Sequence, residues 1–199
     1  CTKHNYLIKD INDLENTIAE GFYIAKSGRP GPVVIDLPKD IQNALTTYKD
    51  IKIKSMVSYN PIKKPKLNDV KLALEILLKA KKPIIYSGGG VINSGVKAST
   101  ALTSLVNYLN IPITQTLMGL GAVSADNKNF LGMLGMHGTY EANMAMHDCD
   151  VMLCVGARFD DRITGNLKYF SPNCKKIHID IDPSSINKNV KVDIALIGD

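Results

Sequence analysis

The chain has 199 residues, four cysteines and a formal net charge of +5 at pH 7. Its length allows a sizeable core, in one domain or in one domain with part of another. No apolar run reaches the length of a membrane span, the lysines are scattered without aromatic residues among them, and no cysteines have a metal-binding spacing. We therefore expect a cytoplasmic protein with reduced cysteines and no membrane, nucleic-acid or metal partner.

The first part of the chain predicts a helix followed by a strand. Apolar residues recur at helical spacing over 14–25, with Asp10 placed to cap the helix and Gly28 placed to end it. The run "PVVIDLP" at 32–38 is then typical of a strand.

The next segment, 39–66, indicates a domain boundary. It has no steady hydrophobic period and ends in prolines and lysines. We predict a linker at 51–66 that joins one domain portion, 1–50, to a domain at 67–199. Because the sequence begins with Cys1 and not Met, we also expect it to be a piece of a longer protein.

From residue 67 onward, predicted strands and helices alternate. The predicted strands lie at 83–87, 111–115, near Leu131, at 151–155, at 175–182 and in "VDIALIG". The predicted helices lie at 69–80, about 95–109 and 139–147, with a short helix in "PSSINK". This alternation requires right-handed crossovers that cover both faces of a sheet. The predicted fold class is therefore α/β, with a doubly wound, mainly parallel sheet.

Polar residues or glycines follow four of the predicted strands, where an open α/β sheet binds its ligands. These strand ends carry "GGG" at 88–90, "TLMG" at 116–119, "GARFDDR" at 156–162 and "DID" at 180–182. Glycines let a ligand approach bare backbone, although a tight turn is the commoner reason for an isolated glycine triplet, and the third glycine of the dinucleotide fingerprint is missing. The coincidence of four such strand ends favours a nucleotide ligand.

Individual side chains at these strand ends leave alternatives open. Asp180 can accept ribose or ribitol hydroxyls, or can cap a turn. The charges from Arg158 to Arg162 can bind a ligand, or can form a solvated loop of mutual ion pairs. His137 and His178 have no partners at metal-ligand spacing. The methionines at 118, 133, 136, 144 and 146 suggest core filling, or in part an apolar pocket.

Five ordered motifs together closely resemble the catalytic subunit of the acetolactate synthase (acetohydroxyacid synthase) family, which is thiamine-diphosphate dependent. The motifs are "SGRPGPVVIDLPKDIQ", "TLMGLG", "LGMHGTYEAN", "GARFDDRITG" and "HIDID". The similarity runs from Gly28 to Asp199. It implies that 1–50 is the end of a pyrimidine-binding domain and that 67–199 is a Rossmann-like, FAD-binding central domain.

The resemblance also implies an activity. Enzymes of this family decarboxylate pyruvate and condense the hydroxyethyl unit with a second 2-oxoacid, pyruvate or 2-oxobutyrate, in branched-chain amino acid biosynthesis. Their FAD performs no net redox chemistry. Thiamine diphosphate and Mg²⁺ are expected to bind portions of the parent protein outside this segment, so we expect the segment alone to be inactive. The parent is expected to be a homo-oligomer that can also bind a regulatory subunit.

The family's site residues fall on many of the same strand ends. The FAD contacts implied by the resemblance are Arg29, Gly89, Thr116, Leu117, Leu134, Gly135, Met136, His137, Gly156, Ala157, Arg158, Phe159, Asp160, Asp180, Ile181 and Asp199. Arg162 is expected to bind the carboxylate of the second 2-oxoacid, with Asp161 orienting it, and Lys39 and Met136 are expected along the substrate channel. Ala157 stands where the family pattern has Val.

Two alternatives remain open on the sequence alone. The chain could be the middle domain of another thiamine-diphosphate decarboxylase or oxidase with the same architecture. It could also be a non-catalytic module that binds a nucleotide such as NAD or ADP. Carboligation by the parent would separate the first alternative from the family assignment, and nucleotide preference would separate the second.

Overall fold

The computed structural model describes all residues from 1 to 199. It divides the chain into two compact units, 1–62 and 63–199. The segment predicted as a linker, 51–66, contains no helix or strand. The assignment of the first unit to a pyrimidine-binding domain stays a prediction.

The first unit is a two-stranded parallel sheet with helices. Its elements are β1 (His4–Leu7), α1 (Leu14–Lys26), β2 (Val33–Asp36) and α2 (Lys39–Asn43), and β1 pairs with β2. Asp10 caps a 3₁₀ turn directly before α1, because its carboxylate accepts the N–H of Asn12 at 2.9 Å. The sequence did not predict β1, which buries no regular face, or α2, whose five residues are too few to display a period.

The second unit is a six-stranded, wholly parallel sheet with helices on its faces. Its elements are α3 (Leu67–Lys79), β3 (Pro83–Ser87), α4 (Gly89–Asn93), α5 (Val96–Leu109), β4 (Ile113–Gln115), β5 (Phe130–Met133), α6 (Tyr140–Asp148), β6 (Val151–Val155), α7 (Asp161–Thr164), β7 (Lys175–Asp180) and β8 (Ile194–Ile197). The predicted fold class is confirmed. All predicted strands are present, whereas the short helices α4 and α7 were not predicted.

Both faces of this sheet are buried. In β3, Ile85 packs into one hydrophobic cluster with α3 and α5, and its neighbours Ile84 and Tyr86 pack into a second cluster on the opposite face. In β6, Leu153 and Met152 divide in the same way. Because successive side chains point to opposite faces, a strand buried on both sides needs an unbroken apolar run, which is the pattern seen in the sequence.

The strand order is β5-β4-β3-β6-β7-β8. The chain therefore runs outward from β3 to β5 and then returns to the other side of β3 as β6. This reversal makes the carboxyl ends of β3 and β6 the topological switch point, where open α/β sheets form their ligand crevice. None of the helices combines the length and hydrophobicity that a membrane crossing requires.

Candidate functional site

The loops after β3 and β6 are packed backbone against backbone at the switch point. The N–H of Gly88 donates to Val155 O and that of Gly90 to Gly156 O, both at 2.9 Å. A Cβ added to Gly88 would lie 2.5 Å from Gly156 O. Gly88 and Gly90 are thus explained by the contact between two loops, which neither the ligand interpretation nor the tight-turn alternative predicted. Gly89 does not take part in this contact: a Cβ added there would lie against Met118 and not against the loop after β6.

Side-chain donors from three distant parts of the chain hold the backbone of 157–159. Its three consecutive carbonyl oxygens accept, in chain order, from His178 Nε2 at 2.8 Å, Tyr86 OH at 3.3 Å and Asn189 Nδ2 at 2.7 Å. Burial raises the pKa of Tyr86, so its phenol stays protonated and able to donate. This part of the charged loop is therefore a fixed structure, and the sequence did not identify any of its three donors.

The same arrangement sorts the side chains of this loop into buried and exposed ones. Ala157 and Phe159 are buried, and the Phe159 ring packs against Tyr86 and His178. These two predicted FAD contacts can therefore reach a ligand only through their backbone. Arg158 points outward, where its Nη2 lies 3.0 Å from Asp160 Oδ2 in a pair that is about half exposed. The ion-pair interpretation holds for Arg158 and Asp160, and a pair with this exposure contributes only about 0–1 kcal/mol to the free energy of unfolding.

Met136 and Arg162 meet although 26 positions separate them. The N–H of Met136 donates to Arg162 O at 3.0 Å, and a Cβ on Gly135 would lie 2.9 Å from the same oxygen. Both side chains are exposed, and the Arg162 guanidinium forms no ion pair. Asp161 does not orient it: its Oδ1 accepts the backbone N–H of Arg162 at 2.9 Å.

Asn143 holds the turn that carries Met136. Its Nδ2 donates to Gly135 O and its Oδ1 accepts from Gly135 N, both at 3.1 Å. Leu134 and Gly135 are buried in this turn, whereas Met136 and His137 are exposed. Asn143 was not predicted as a site residue. The available signal was an asparagine inside a helix, where that residue is unfavourable unless its side chain has a local role.

The end of β4 exposes apolar side chains beside the same crevice. Thr116 N donates to Ser87 O at 2.9 Å, which fixes the start of the loop, and Leu117 and Met118 are 69% and 75% exposed. The core-filling interpretation is therefore wrong for Met118, and also for the exposed Met136. It is correct for Met146, which is 2% exposed in the second hydrophobic cluster.

Two buried side-chain atoms at these strand ends have no partner. Ser87 Oγ and Gln115 Oε1 are both unpaired, and their residues are direct neighbours across β3 and β4. Buried polar atoms are normally hydrogen-bonded to protein or water. Ser87 and Gln115 are both 0% exposed, so neither atom can contact a ligand without a local movement of the protein.

The carboxylates at the ends of β7 and β8 are engaged within the protein. Asp180 is buried and its Oδ1 accepts the N–H of Asp182 at 2.8 Å, which matches the turn-capping alternative. Ile181 beside it is partly buried. Asp199 is exposed and its Oδ1 accepts from Ser94 Oγ at 2.6 Å. No group of three or more His, Cys, Asp or Glu side chains is arranged to hold a metal ion.

The predicted site residues divide between the two units. Arg29 follows α1 and Lys39 begins α2, and both are exposed residues of the first unit. All the others belong to the second unit, and most lie along the carboxyl edge of its sheet.

The wholly parallel, doubly wound sheet places this unit in the class of open α/β domains, in which ligands bind beyond the carboxyl ends of the strands at the switch point. The chain belongs to the family described as "Thiamine pyrophosphate enzyme, central domain", whose sequence profile matches residues 70–199. This confirms the enzyme class that the motifs indicated.

Several curated relatives are similar to the chain along its whole length. The acetolactate synthase large subunit of Buchnera aphidicola subsp. Schizaphis graminum is 51% identical over 199 residues, which are 99% of this chain and 34% of the relative. The large subunit from Haemophilus influenzae is 50% identical over 98% of this chain, and the isozyme 3 large subunit from Escherichia coli is 49% identical over 99%, with 34% of each relative covered. The chain thus spans about a third of the length of these relatives.

Proposed function

We propose that this chain is the FAD-holding portion of an acetolactate synthase, which decarboxylates pyruvate and joins the hydroxyethyl unit to a second 2-oxoacid in branched-chain amino acid biosynthesis. The observation that carries the proposal is identity of about 50%, along the whole chain, to proteins named acetolactate synthase large subunits. Most of the predicted contact residues lie beyond the carboxyl ends of the strands, where open α/β sheets bind their ligands.

The residues at this crevice fit a flavin nucleotide. The Arg158 guanidinium is half exposed and can exchange its weak pairing with Asp160 for phosphate or flavin oxygens. Exposed apolar side chains at 117–118 offer a surface for a ring system. FAD would contribute no net redox chemistry when bound.

The FAD contacts in this proposal are the predicted set. Within the second unit they are Gly89, Thr116, Leu117, Leu134, Gly135, Met136, His137, Gly156, Ala157, Arg158, Phe159, Asp160, Asp180, Ile181 and Asp199. Leu134, Ala157 and Phe159 would act through their backbone, because their side chains are buried. Arg29 of the first unit completes the set.

Arg162 is proposed to bind the carboxylate of the second 2-oxoacid. Its guanidinium is exposed and forms no ion pair, so its planar fork is available for a carboxylate. The adjoining Met136 is apolar and 65% exposed, which suits the methyl or ethyl end of pyruvate or 2-oxobutyrate. The resemblance also implies a place for Lys39 along the substrate channel of the complete enzyme.

The remaining parts of the proposal concern the complete protein. Thiamine diphosphate and Mg²⁺ would be bound by portions of the enzyme beyond these residues. The complete protein would be a cytoplasmic homo-oligomer, and the name "large subunit" of its relatives supports a smaller regulatory partner.

Product analysis of the complete protein tests the proposal. With pyruvate, thiamine diphosphate, Mg²⁺ and FAD, we expect acetolactate from the complete protein and none from the 199-residue chain alone. Adding 2-oxobutyrate should yield the mixed condensation product. Release of acetaldehyde without any condensation product would support the alternative decarboxylase and overturn the proposal.

A further inference from the structure

Two buried cysteines form a close pair far from the crevice. The Sγ atoms of Cys149 and Cys174 lie 3.2 Å apart, and the residues are only 4% and 8% exposed. Cys149 immediately follows α6, and Cys174 immediately precedes β7. Because β6 and β7 pair in parallel from Val151 and Lys175 onward, the cysteines sit together at the amino edge of the sheet, opposite the ligand crevice.

We propose that Cys149 and Cys174 are a redox modification site, which a peroxide converts into an intramolecular disulfide and which a dithiol reduces again. Both thiols are free in the structure. A disulfide requires the sulfur atoms to approach by about 1.2 Å, from 3.2 Å to about 2.05 Å. Since the two strands are direct neighbours, this approach needs only local movement.

The chemistry balances with hydrogen peroxide as the oxidant. The Cys149 thiolate attacks one peroxide oxygen, the O–O bond breaks, and a sulfenic acid and one water form after protonation. The Cys174 sulfur then attacks the sulfenic sulfur, forming the S–S bond and releasing the second water. Two thiols and one peroxide thus become one disulfide and two waters.

The surroundings of the pair favour Cys149 as the attacking thiol. The hydrogen bond with Cys174, a bond with Ser171 and the nearby Lys176 ammonium lower the pKa of Cys149 against the effect of burial. The Lys176 ammonium is held in place by donation to Ser171 O and Cys174 O, both at 3.0 Å. By contrast, burial raises the pKa of Cys154, which has no cysteine neighbour.

Both cysteines of the pair lie just beneath the surface, so a small oxidant has a short path to them. Asp148, which precedes Cys149, is exposed, and so are Asn173 and Lys175 on either side of Cys174. The disulfide would close a loop that contains β6, the charged segment 156–162 and α7. Closing such a loop stabilises a protein mainly by restricting its unfolded chain.

Mass spectrometry after peroxide treatment of the full chain tests this site. The chain should be oxidised, denatured and alkylated, with Cys1 replaced by serine to prevent links between molecules. We expect a loss of about 2 Da and a peptide that links Cys149 to Cys174, while Cys154 remains alkylated. The thermal midpoint should rise by about 5–10 °C and should return after reduction.

Two variants serve as controls. The Cys154→Ser chain should still form the link, whereas the Cys174→Ser chain should form none and show no peroxide-dependent rise in its midpoint. The proposal is overturned if both cysteines of the pair are alkylated after a treatment that oxidises Cys1 in the unsubstituted chain, or if the link joins Cys149 to any other cysteine. Peptide mapping of the Cys1→Ser chain decides this even if Cys174→Ser fails to fold.

Discussion

Gly88→Ala is expected to lower the free energy of unfolding of the second unit by about 3 kcal/mol. The added methyl group would lie 2.5 Å from Gly156 O, 2.6 Å from Ala157 Cβ and 2.7 Å from Ala157 Cα. Two of these atoms are backbone in a loop that side-chain hydrogen bonds hold in place. The φ of −129° at Gly88 is acceptable for any residue, so the whole effect is steric.

Gly89→Ala is the matched control, one position further along the same triplet. Its methyl group would meet Met118, at 3.1 Å from that residue's Cβ. The Met118 loop is exposed, and Ala is favoured over Gly in α4, so we expect a change within about 1 kcal/mol. Urea unfolding followed by circular dichroism measures both variants. Equal losses for Gly88→Ala and Gly89→Ala would show that the contact between the two loops is not the reason for the glycines.

His178→Ala is expected to destabilise the second unit by a similar amount, about 3 kcal/mol. The ring is fully buried at the centre of β7, and its Nε2–H is the donor placed 2.8 Å from Ala157 O. Removing it leaves a cavity beside Phe159, and leaves that carbonyl with only the Cys154 thiol at 3.2 Å, which is a weak donor. Amide hydrogen exchange in 157–159 should become faster because the loop loses its main support.

His137→Ala is the control of the same residue type. His137 is exposed in the turn after β5, and we expect its replacement to change the free energy of unfolding by less than about 0.5 kcal/mol. The comparison uses the same denaturation assay and the same exchange experiment. If His178→Ala cost no more than His137→Ala and left exchange in the loop unchanged, the loop would owe its structure to other contacts.

The sequence predicted the central strands β3 and β6 because burial on both faces requires an unbroken apolar run. Each run, such as 83–87 or 151–155, corresponds to a strand at nearly the same bounds. The short helices α4 and α7 span too few residues for a hydrophobic period to be recognisable. The order of the strands was not predictable in the same way, since it depends on packing between distant segments.

The general position of the candidate site was predictable, and its internal construction was not. Parallel strands bring their carboxyl ends to one edge, so polar residues after several strands predict a shared crevice. Nothing local marks His178, Tyr86 or Asn189 as donors to one loop, because β7, β3 and the segment before β8 meet only in the fold. The reason for the glycine triplet was equally hidden, because the backbone that Gly90 packs against belongs to Gly156, which is 66 positions away in the sequence.

The two arginines of the charged segment 156–162 differ in their surroundings. Arg158 lies in the backbone segment 157–159, which three side-chain donors hold in place, and its guanidinium pairs weakly with Asp160. Arg162 belongs to α7, is joined through its carbonyl to Met136, and has an unpaired guanidinium. These surroundings are compatible with the proposed assignment, which rests on the resemblance to the family: Arg158 to the flavin and Arg162 to the carboxylate of the second 2-oxoacid.

The most direct measurement is made on the complete protein that contains this chain, with Arg158→Ala and Arg162→Ala compared side by side. Flavin content and the preference for 2-oxobutyrate over pyruvate are measured on the same preparations. Because each substitution removes a charge-assisted contact, we expect about a tenfold or greater loss, of FAD affinity for one arginine and of substrate preference for the other. Arg158→Ala should bind FAD more weakly, whereas Arg162→Ala should retain FAD and lose its substrate preference. Loss of flavin from Arg162→Ala, with full flavin retained in Arg158→Ala, would contradict the assignment.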